Sequence, residues 1–267
     1  MRRVIAVLVV AALTAAGATV AWAQSATKHV LSFDMSATPL KLSKPGKPVG
    51  LTLRYKMSLE ETTEARVAQP DRMTFLLPAT KINPGAFPHC TKEILRQKGP
   101  TGCPEKSLIG KGTGTGDATP LIEEALADIM VFNGPKVGGK PTLVAWGKAR
   151  GVQVTATLTG TINKTSGKYG YRVDLPIPGI PTLIGQPEAS VDGFDVKVGA
   201  KIRKGGKTIN FIESPLKCPA GGFKFVMKMV ISYHPIIGAE PGETFPGYPT
   251  ALNAETLEDD ATIACPK

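Results

Sequence analysis

Apolar and polar side chains alternate along several segments of the chain. In residues 49–58 every second position is apolar, namely Val49, Leu51, Leu53, Tyr55 and Met57. The same period of two returns at residues 151–163, through Val152, Val154, Ala156, Leu158 and Ile162, and at residues 194–202, through Phe194, Val196, Val198, Ala200 and Ile202. A helix repeats every 3.6 residues and cannot place such a set on one face. The pattern therefore predicts half-buried β-strands.

Further apolar runs rich in β-branched and aromatic residues predict more strands. They span residues 29–35, 73–77, 129–132, 142–146, 169–175, 208–212 and 223–233. Turn residues at 163–167 and 204–207 join neighbouring strands as hairpins. With about ten strands and turn signals at short intervals, the sequence predicts an all-β fold, an antiparallel β-sandwich with long Pro- and Gly-rich loops.

Helix signals are few and short, and they cover residues 60–68, 91–98 and 121–127. Alternating glycines from Gly110 to Gly116 resemble a phosphate-binding loop, but no helix pattern follows them. We interpret this segment as a thin strand that its neighbours approach closely.

Three segments contain too many prolines for continuous strands. Residues 78–106 are expected to be irregular, and residues 235–267 are expected to form a C-terminal tail whose acidic part is hydrated. The apolar segment 175–184 contains three prolines, which lack ladder donors. It either covers an edge or end of the sandwich or forms an exposed binding lip.

The N-terminus has the pattern of a secretory signal peptide. Arg2 and Arg3 precede an apolar stretch, and Ala21-Trp22-Ala23 provides small residues where a signal peptidase cleaves. An uncleaved anchor is the alternative, but the stretch is diluted by Thr14, Gly17 and Thr19. We expect residues 1–23 to be removed and residues 24–267 to form one exported domain, either released or associated with the cell wall.

Four cysteines, Cys90, Cys103, Cys218 and Cys265, all lie in the part expected to be exported. An even number in an exported chain predicts two disulfides, and four cysteines allow three pairings. We favour Cys90 with Cys103 and Cys218 with Cys265, since these pairs close loops ordered along the sequence.

The chain is basic, with a formal net charge of +10 that falls by two when Arg2 and Arg3 leave. Such a surface favours anionic neighbours, such as a cell-wall polymer or a membrane surface, or simply keeps the protein soluble. No aromatic residues are interleaved with the lysines, so the sequence does not favour nucleic acid as a partner. It leaves the oligomeric state open.

No motif assigns a catalytic, cofactor-binding or metal-binding residue. The histidines His29, His89 and His234 are far apart in sequence, and no Cys-x-x-Cys pair is present. The serine-hydrolase elbow and the zinc-protease pair of histidines are also missing. We therefore predict no cofactor and no metal.

An ordered set of short elements is similar to a known group of proteins. It begins with Cys103-Pro104-x-x-Ser107-x-Ile109-Gly110, continues through Val131-Phe132-Asn133-Gly134, Gly151-Val152-x-Val154, Leu158-x-Gly160 and Thr165-x-Gly167, and ends with Pro215-x-x-Cys218. These elements resemble uncharacterised secreted β-sandwich proteins of actinobacteria over about residues 75–235. The resemblance implies export and the fold class, and no site residues. Asn133-Gly134-Pro135, which we interpret as a turn, departs from the pattern of that group.

The leading functional hypothesis is a non-enzymatic exported protein that acts by surface binding. A carrier of an apolar small molecule or lipid, held between the sheets or at the 175–184 segment, is the first alternative. An extracellular hydrolase with a site assembled from distant residues is the second.

Overall fold

The computed structural model describes residues 29–63, 65–239, 243–249 and 254–266, so the signal peptide predicted at residues 1–23 lies outside the described residues. The strands in chain order are β1 His29–Thr38, β2 Thr52–Glu61, β3 Gln69–Leu77, β4 Lys81–Ile82, β5 Leu108–Ala118, β6 Ile122–Val137, β7 Lys140–Ala149, β8 Thr155–Lys164, β9 Tyr171–Pro176, β10 Ser190–Val198, β11 Lys201–Lys204, β12 Lys207–Asn210, β13 Ile212–Glu213, β14 Phe223–Ser232 and β15 Glu255–Ile263. The helix α1 spans Lys92–Lys98, and 3₁₀ turns lie at Pro84–Ala86, Pro100–Gly102 and Glu105–Ser107.

Eleven strands form one antiparallel sheet in the order β1-β2-β10-β5-β6-β7-β8-β9-β3-β14-β15. The first and last strands of this order contact each other, which curves the sheet into a nearly closed, barrel-like form. Two small ladders, β11 with β12 and β4 with β13, lie beside it. The predicted antiparallel all-β fold is confirmed. Its two faces are not separate sheets as in a sandwich, because pairing continues from strand to strand around the whole interior.

The alternating patterns point their apolar positions into this interior. Leu53 and Met57 of β2 are fully buried, and Phe194, Val196 and Val198 of β10 line the inside of the sheet. In the 151–163 segment, β8 begins only at Thr155, since Gly151, with a positive φ of 80°, lies in the bend that follows β7. Sequence periodicity therefore indicates the inward faces correctly, although it places this strand start too early.

One of the three predicted helices exists. In α1 the Thr91 side chain accepts a hydrogen bond from the Ile94 amide, which satisfies a free helix donor. The predictions of helices at 60–68 and 121–127 are wrong. Residues up to Glu61 continue β2 in register with β1, and the second segment belongs to β6, where ladder pairing overrides helix propensity.

The glycine-rich segment is strand β5, as predicted. A Cβ atom on Gly112 would lie 2.1 Å from the Asp195 carbonyl oxygen, and one on Gly116 would lie 2.2 Å from that of Ser190. Both oxygens belong to the neighbouring strand β10. Glycine is therefore required for the close approach of β10 to β5.

The irregular segment predicted at 78–106 contains the short β4, α1, two complete 3₁₀ turns and the start of a third, and part of it covers the outside of the sheet at β6 and β7. Leu95 of α1 packs with Phe132 and Val144, and the Cys90–Cys103 disulfide closes the segment. The Nδ2 group of Asn133 donates to the carbonyl oxygens of Pro84, Phe87 and Pro88, which anchors the segment. Asn133-Gly134-Pro135 is thus not a turn, because these residues lie within β6.

The C-terminal region is more ordered than its prolines suggest. Residues 255–263 form β15, which pairs with β14 along nine residues despite their acidic composition. The carboxylates of Glu258 and Asp260 lie on the outer face of β15. They form ion pairs with Lys228 and Lys224 of β14, respectively. The second disulfide joins Cys218 to Cys265 just beyond this strand, so both favoured pairings are confirmed.

Candidate binding cavity

A cavity of about 260 Å³ lies inside the sheet, on the side formed by β10, β5, β6, β7, β8, β9 and β3. The opposite side of the interior is filled by large side chains, including Met227 and Met229, which are fully buried. Inward-facing side chains around the cavity, such as Leu143 and Leu158, are only partly buried. The interior is therefore packed on one side and open on the other.

Small inward-facing residues create this space. Gly114 pairs with Ala127, and Ala127 pairs with Ala149, so one row of the wall across β5, β6 and β7 has almost no side-chain volume. A second row contains Gly116 opposite Ala125. The interior of a closed sheet widens with the number of strands, and eight strands are already enough to hold a small ligand. Eleven strands with small residues on one side leave room that the protein's own side chains do not fill.

Aromatic side chains separate the cavity from the packed side. Phe75 of β3 contacts three other rings, with centroid distances of 5.7 Å to Tyr55, 6.2 Å to Phe33 and 6.4 Å to Phe194. The Tyr55 contact is edge-to-face, at an interplanar angle of 79°, which is a favourable aromatic geometry. Three of these rings, Tyr55, Phe75 and Phe194, line the cavity directly.

The alternation of the described strands turns the Tyr55 hydroxyl toward this space, and Ser190, whose buried Oγ has no hydrogen-bond partner among the described residues, also borders it. Asp117 and Thr115 also border the cavity, but they alternate with the inward-facing Gly114 and Gly116. Their side chains bind Arg66 and Asp192, respectively. Burial raises the pKa of Tyr55 above its usual value, so its hydroxyl stays protonated. The cavity wall is otherwise apolar.

The segment 177–189, which we call the cap, closes one end of the cavity. Ile177 and Ile180 are buried and line it, and the Ala189 amide donates to the Ile180 carbonyl at 2.8 Å. The predicted covering role of the 175–184 segment is thus observed. Its tip is different, because Leu183 and Ile184 are exposed, Ile184 by 95%.

A polar cluster fastens the cap to the sheet. His234, just after β14, contacts Glu188 of the cap through Nδ1 at 2.5 Å and Asp71 of β3 through Nε2 at 2.7 Å. Gln69 donates to the Glu188 carbonyl oxygen at 3.0 Å. Burial lowers the pKa of His234, but hydrogen bonds to Glu188 and Asp71 and their charges outweigh it and raise the pKa overall. The His234 ring therefore bridges a carboxylate of the cap and a carboxylate of β3.

This cluster does not have the geometry of a serine-hydrolase triad. Ser232 is close enough to take part, but its hydroxyl donates to the Asp71 carboxylate at 2.8 Å. Both nitrogens of His234 contact carboxylates, so the imidazole does not accept the serine proton.

The end of the sheet opposite the cap is basic. The β11–β12 hairpin follows β10 at this end, and the loop between β1 and β2 meets it, since Ser43 and Gly50 bond to residues 213–215. These loops and the hairpin carry eight exposed cations that form no ion pair among the described residues, namely Lys41, Lys44, Lys47, Lys201, Arg203, Lys204, Lys207 and Lys217.

Of the residues singled out in the sequence, the four cysteines form disulfides, His234 belongs to the polar cluster, His29 packs against Tyr233, and His89 is exposed. Within the described ranges no group of three His, Cys, Asp or Glu side chains could hold a metal ion. None of the helices in the described part of the chain is long and apolar enough to cross a membrane. The two disulfides are compatible with an extracellular protein.

The chain matches no protein-family model, no curated protein and no solved structure. The cavity is therefore described from its own residues. Sequence reasoning did not find it, although a signal exists: glycine or alanine recurs at every second position in 110–118, 125–127 and 145–149. Small residues on the inward face of several consecutive strands indicate an interior that side chains do not fill.

Proposed function

We propose that this protein binds a compact, apolar small molecule inside its sheet. The observation that carries the proposal is the apolar wall of the 260 Å³ cavity, built from Gly, Ala, Val, Leu, Ile and Phe on seven strands. Ligand pockets are typically lined in this way and have volumes of about 300–1,000 Å³, so this cavity suits a ligand at the small end. Burial of the apolar surface of such a ligand drives its binding.

The cap is the route by which a ligand enters. The cap is a loop whose ends join β9 and β10. The side wall of the cavity is built instead from hydrogen-bonded strands. Opening the cap requires the loss of few polar contacts: the Ile177–Asp71 and Gly185–Ile237 backbone hydrogen bonds and the Glu188 contacts with His234 and Gln69. Separation of two strands would break a whole ladder instead.

Mass spectrometry of an organic extract tests the proposal. Wild type and Ala127→Phe, whose new ring fills the row between Gly114 and Ala149, are purified from the same secreting host. We expect one neutral apolar compound to be enriched in the wild-type extract and depleted in that of the variant. Extracts with the same composition would overturn the proposal.

Attachment to an anionic cell-wall polymer is a second candidate function, and the basic end favours it. Eight exposed cations at one end of the molecule create a positive potential that attracts such a polymer and that salt screens. This binding surface is far from the cap, so the two functions are compatible.

Elution from purified cell-wall fragments tests this attachment. Neutralising Lys201, Arg203, Lys204 and Lys207 to Gln should release the protein at lower salt than wild type. The matched control changes four exposed cations on the outer faces of strands, Lys56, Arg72, Lys111 and Lys148, to Gln. The same elution for both variants, or no extra release of wild type at about 1 M salt, where screening acts within about 3 Å, would contradict the candidate.

Export by the general secretion route completes the proposal. Arg2, Arg3 and the apolar stretch before Ala23 support it, as do the two disulfides. We expect the secreted protein to begin at Gln24. N-terminal mass analysis that finds Met1 on secreted material would contradict this.

A further inference from the structure

We infer that the ligand of this cavity is an uncharged molecule with one hydrogen-bonding oxygen, a carbonyl or hydroxyl group, on an apolar body, and that this oxygen pairs with the Tyr55 hydroxyl. The inference rests on the proposed function and narrows it to a chemical class. It also assigns Tyr55 as the residue that orients the ligand.

The position of Tyr55 is fixed by its strand and by its ring contacts. It lies on the inward face of β2 between Leu53 and Met57, and Val196 of β10 is its cross-strand neighbour. The edge-to-face contact with Phe75 holds the ring in the cavity wall. An oxygen held in this way has a defined place relative to any bound molecule.

The Tyr55 hydroxyl makes no hydrogen bond to any described residue. Of the other tyrosines packed in or against the core, Tyr233 donates to the Arg66 carbonyl and Tyr248 donates to the His234 carbonyl, whereas Tyr171, which does not line the cavity, makes no hydrogen bond through its hydroxyl to a described residue. A buried tyrosine normally has such a partner because an unbonded hydroxyl in apolar surroundings is unfavourable. Phenylalanine would give the same ring packing without that cost. No described residue therefore serves as the hydrogen-bond partner of the Tyr55 hydroxyl, whereas a ligand in the cavity would.

The surroundings of Tyr55 select against a charged ligand. Among the described residues that line the cavity there is no Lys, Arg or His, and the Asp117 carboxylate is bound to Arg66. A carboxylate or phosphate on the ligand would lose its hydration without gaining a counter-ion. A neutral oxygen requires only one hydrogen bond, which the Tyr55 hydroxyl donates to a carbonyl or exchanges with a hydroxyl.

Competition with a matched pair of probes tests the inference. 2-Acetylnaphthalene and 2-isopropylnaphthalene have nearly the same shape, and only the first has a carbonyl oxygen. Each displaces the neutral fluorescent probe N-phenyl-1-naphthylamine from wild type, Tyr55→Phe and Tyr169→Phe. Tyr169 is a control because it does not line the cavity.

We expect Tyr55→Phe to weaken binding of the ketone by about three- to tenfold, the effect of one neutral hydrogen bond. Binding of the hydrocarbon should be unchanged, and Tyr169→Phe should behave as wild type. Equal affinity of the ketone for wild type and Tyr55→Phe overturns the inference and leaves the proposed function standing. Failure of every probe to bind wild type overturns the proposed function itself, and thermal unfolding shows whether each variant is folded.

Discussion

The carboxylate of Asp259 accepts a hydrogen bond from the backbone amide of Phe33 at 2.7 Å and so joins the last strand of the sheet to the first. These residues are 226 positions apart in sequence. Their strands, β1 and β15, are the two edges of the sheet, and we call the line along which they meet the seam. The carboxylate satisfies an amide that has no ladder partner on that side. A hydrogen bond to a charged group contributes about 1.5–3 kcal/mol when buried, and this one is only partly buried.

We expect Asp259→Ala to lower the free energy of unfolding by about 1–2 kcal/mol, measured by urea denaturation. Asp260→Ala is the matched control, because Asp260 is on the same strand but forms an exposed pair with Lys224. That pair should contribute at most about 1 kcal/mol. Equal destabilisation by the two variants would contradict a specific role for Asp259 in closing the sheet.

The cap should be held more firmly at low pH than at high pH. The pKa of His234 is raised in the folded protein, so its contribution is fully present below its ordinary value of 6.5 and is lost as the pH rises through the folded-state pKa. The groups that face the imidazole are Glu188 of the cap, Asp71 of β3 and the neighbouring Tyr248 and Ser232. Loss of the proton removes the charge that holds both carboxylates.

Hydrogen-exchange protection factors of residues 177–189, which correct for intrinsic exchange, measure this effect. They should fall between pH 6 and pH 9 in wild type, whereas His234→Gln should show low protection at both pH values. His89→Gln, which changes an exposed histidine, should retain the wild-type pH dependence. A cap with the same protection in wild type and His234→Gln would refute the role of the bridge.

The two disulfides should differ in what they stabilise. Cys218 and Cys265 are 47 residues apart, and their bridge fixes the C-terminal end of β15 at the seam. Replacement of both by Ser should lower the free energy of unfolding by about 4 kcal/mol on the chain-entropy estimate, and expose residues 254–266 to proteolysis. The Cys90–Cys103 bridge closes a shorter loop, so Cys90→Ser with Cys103→Ser should instead loosen the segment around α1 without freeing β15. Early cleavage at β15 in both double variants would contradict this division.

The inward strand faces could be predicted from the sequence because alternation is a local pattern, and the disulfide pairing because the favoured pairs close loops ordered along the sequence. The period of two in β2 and β10 requires only that one face be buried. The strand at residues 255–263 was missed because its stability depends on β14 and on charge pairs with Lys224 and Lys228, which are distant in sequence. The same holds for residues 122–127, whose helix-favouring composition is overridden by pairing with β5.

The candidate site was less accessible to sequence reasoning. A prediction that Tyr55 faces the interior was correct, but its lack of a hydrogen bond depends on Phe75, Phe194 and Val196, which come from two other strands. His234, Asp71 and Glu188 are separated by more than 40 residues from one another, so no motif connects them. The similarity to secreted proteins of actinobacteria stays a prediction.

Fluorescence titration with N-phenyl-1-naphthylamine tests the central claim, binding inside the sheet, most directly. Three proteins are compared: wild type, Ala127→Phe, which fills the cavity, and Leu126→Phe, whose side chain is on the outer face of the same strand. We predict saturable one-to-one binding to wild type and Leu126→Phe, and at least about tenfold weaker binding to Ala127→Phe, with unfolding midpoints that stay close to that of wild type. Equal binding to all three folded proteins, or no saturable binding to wild type, would contradict the claim.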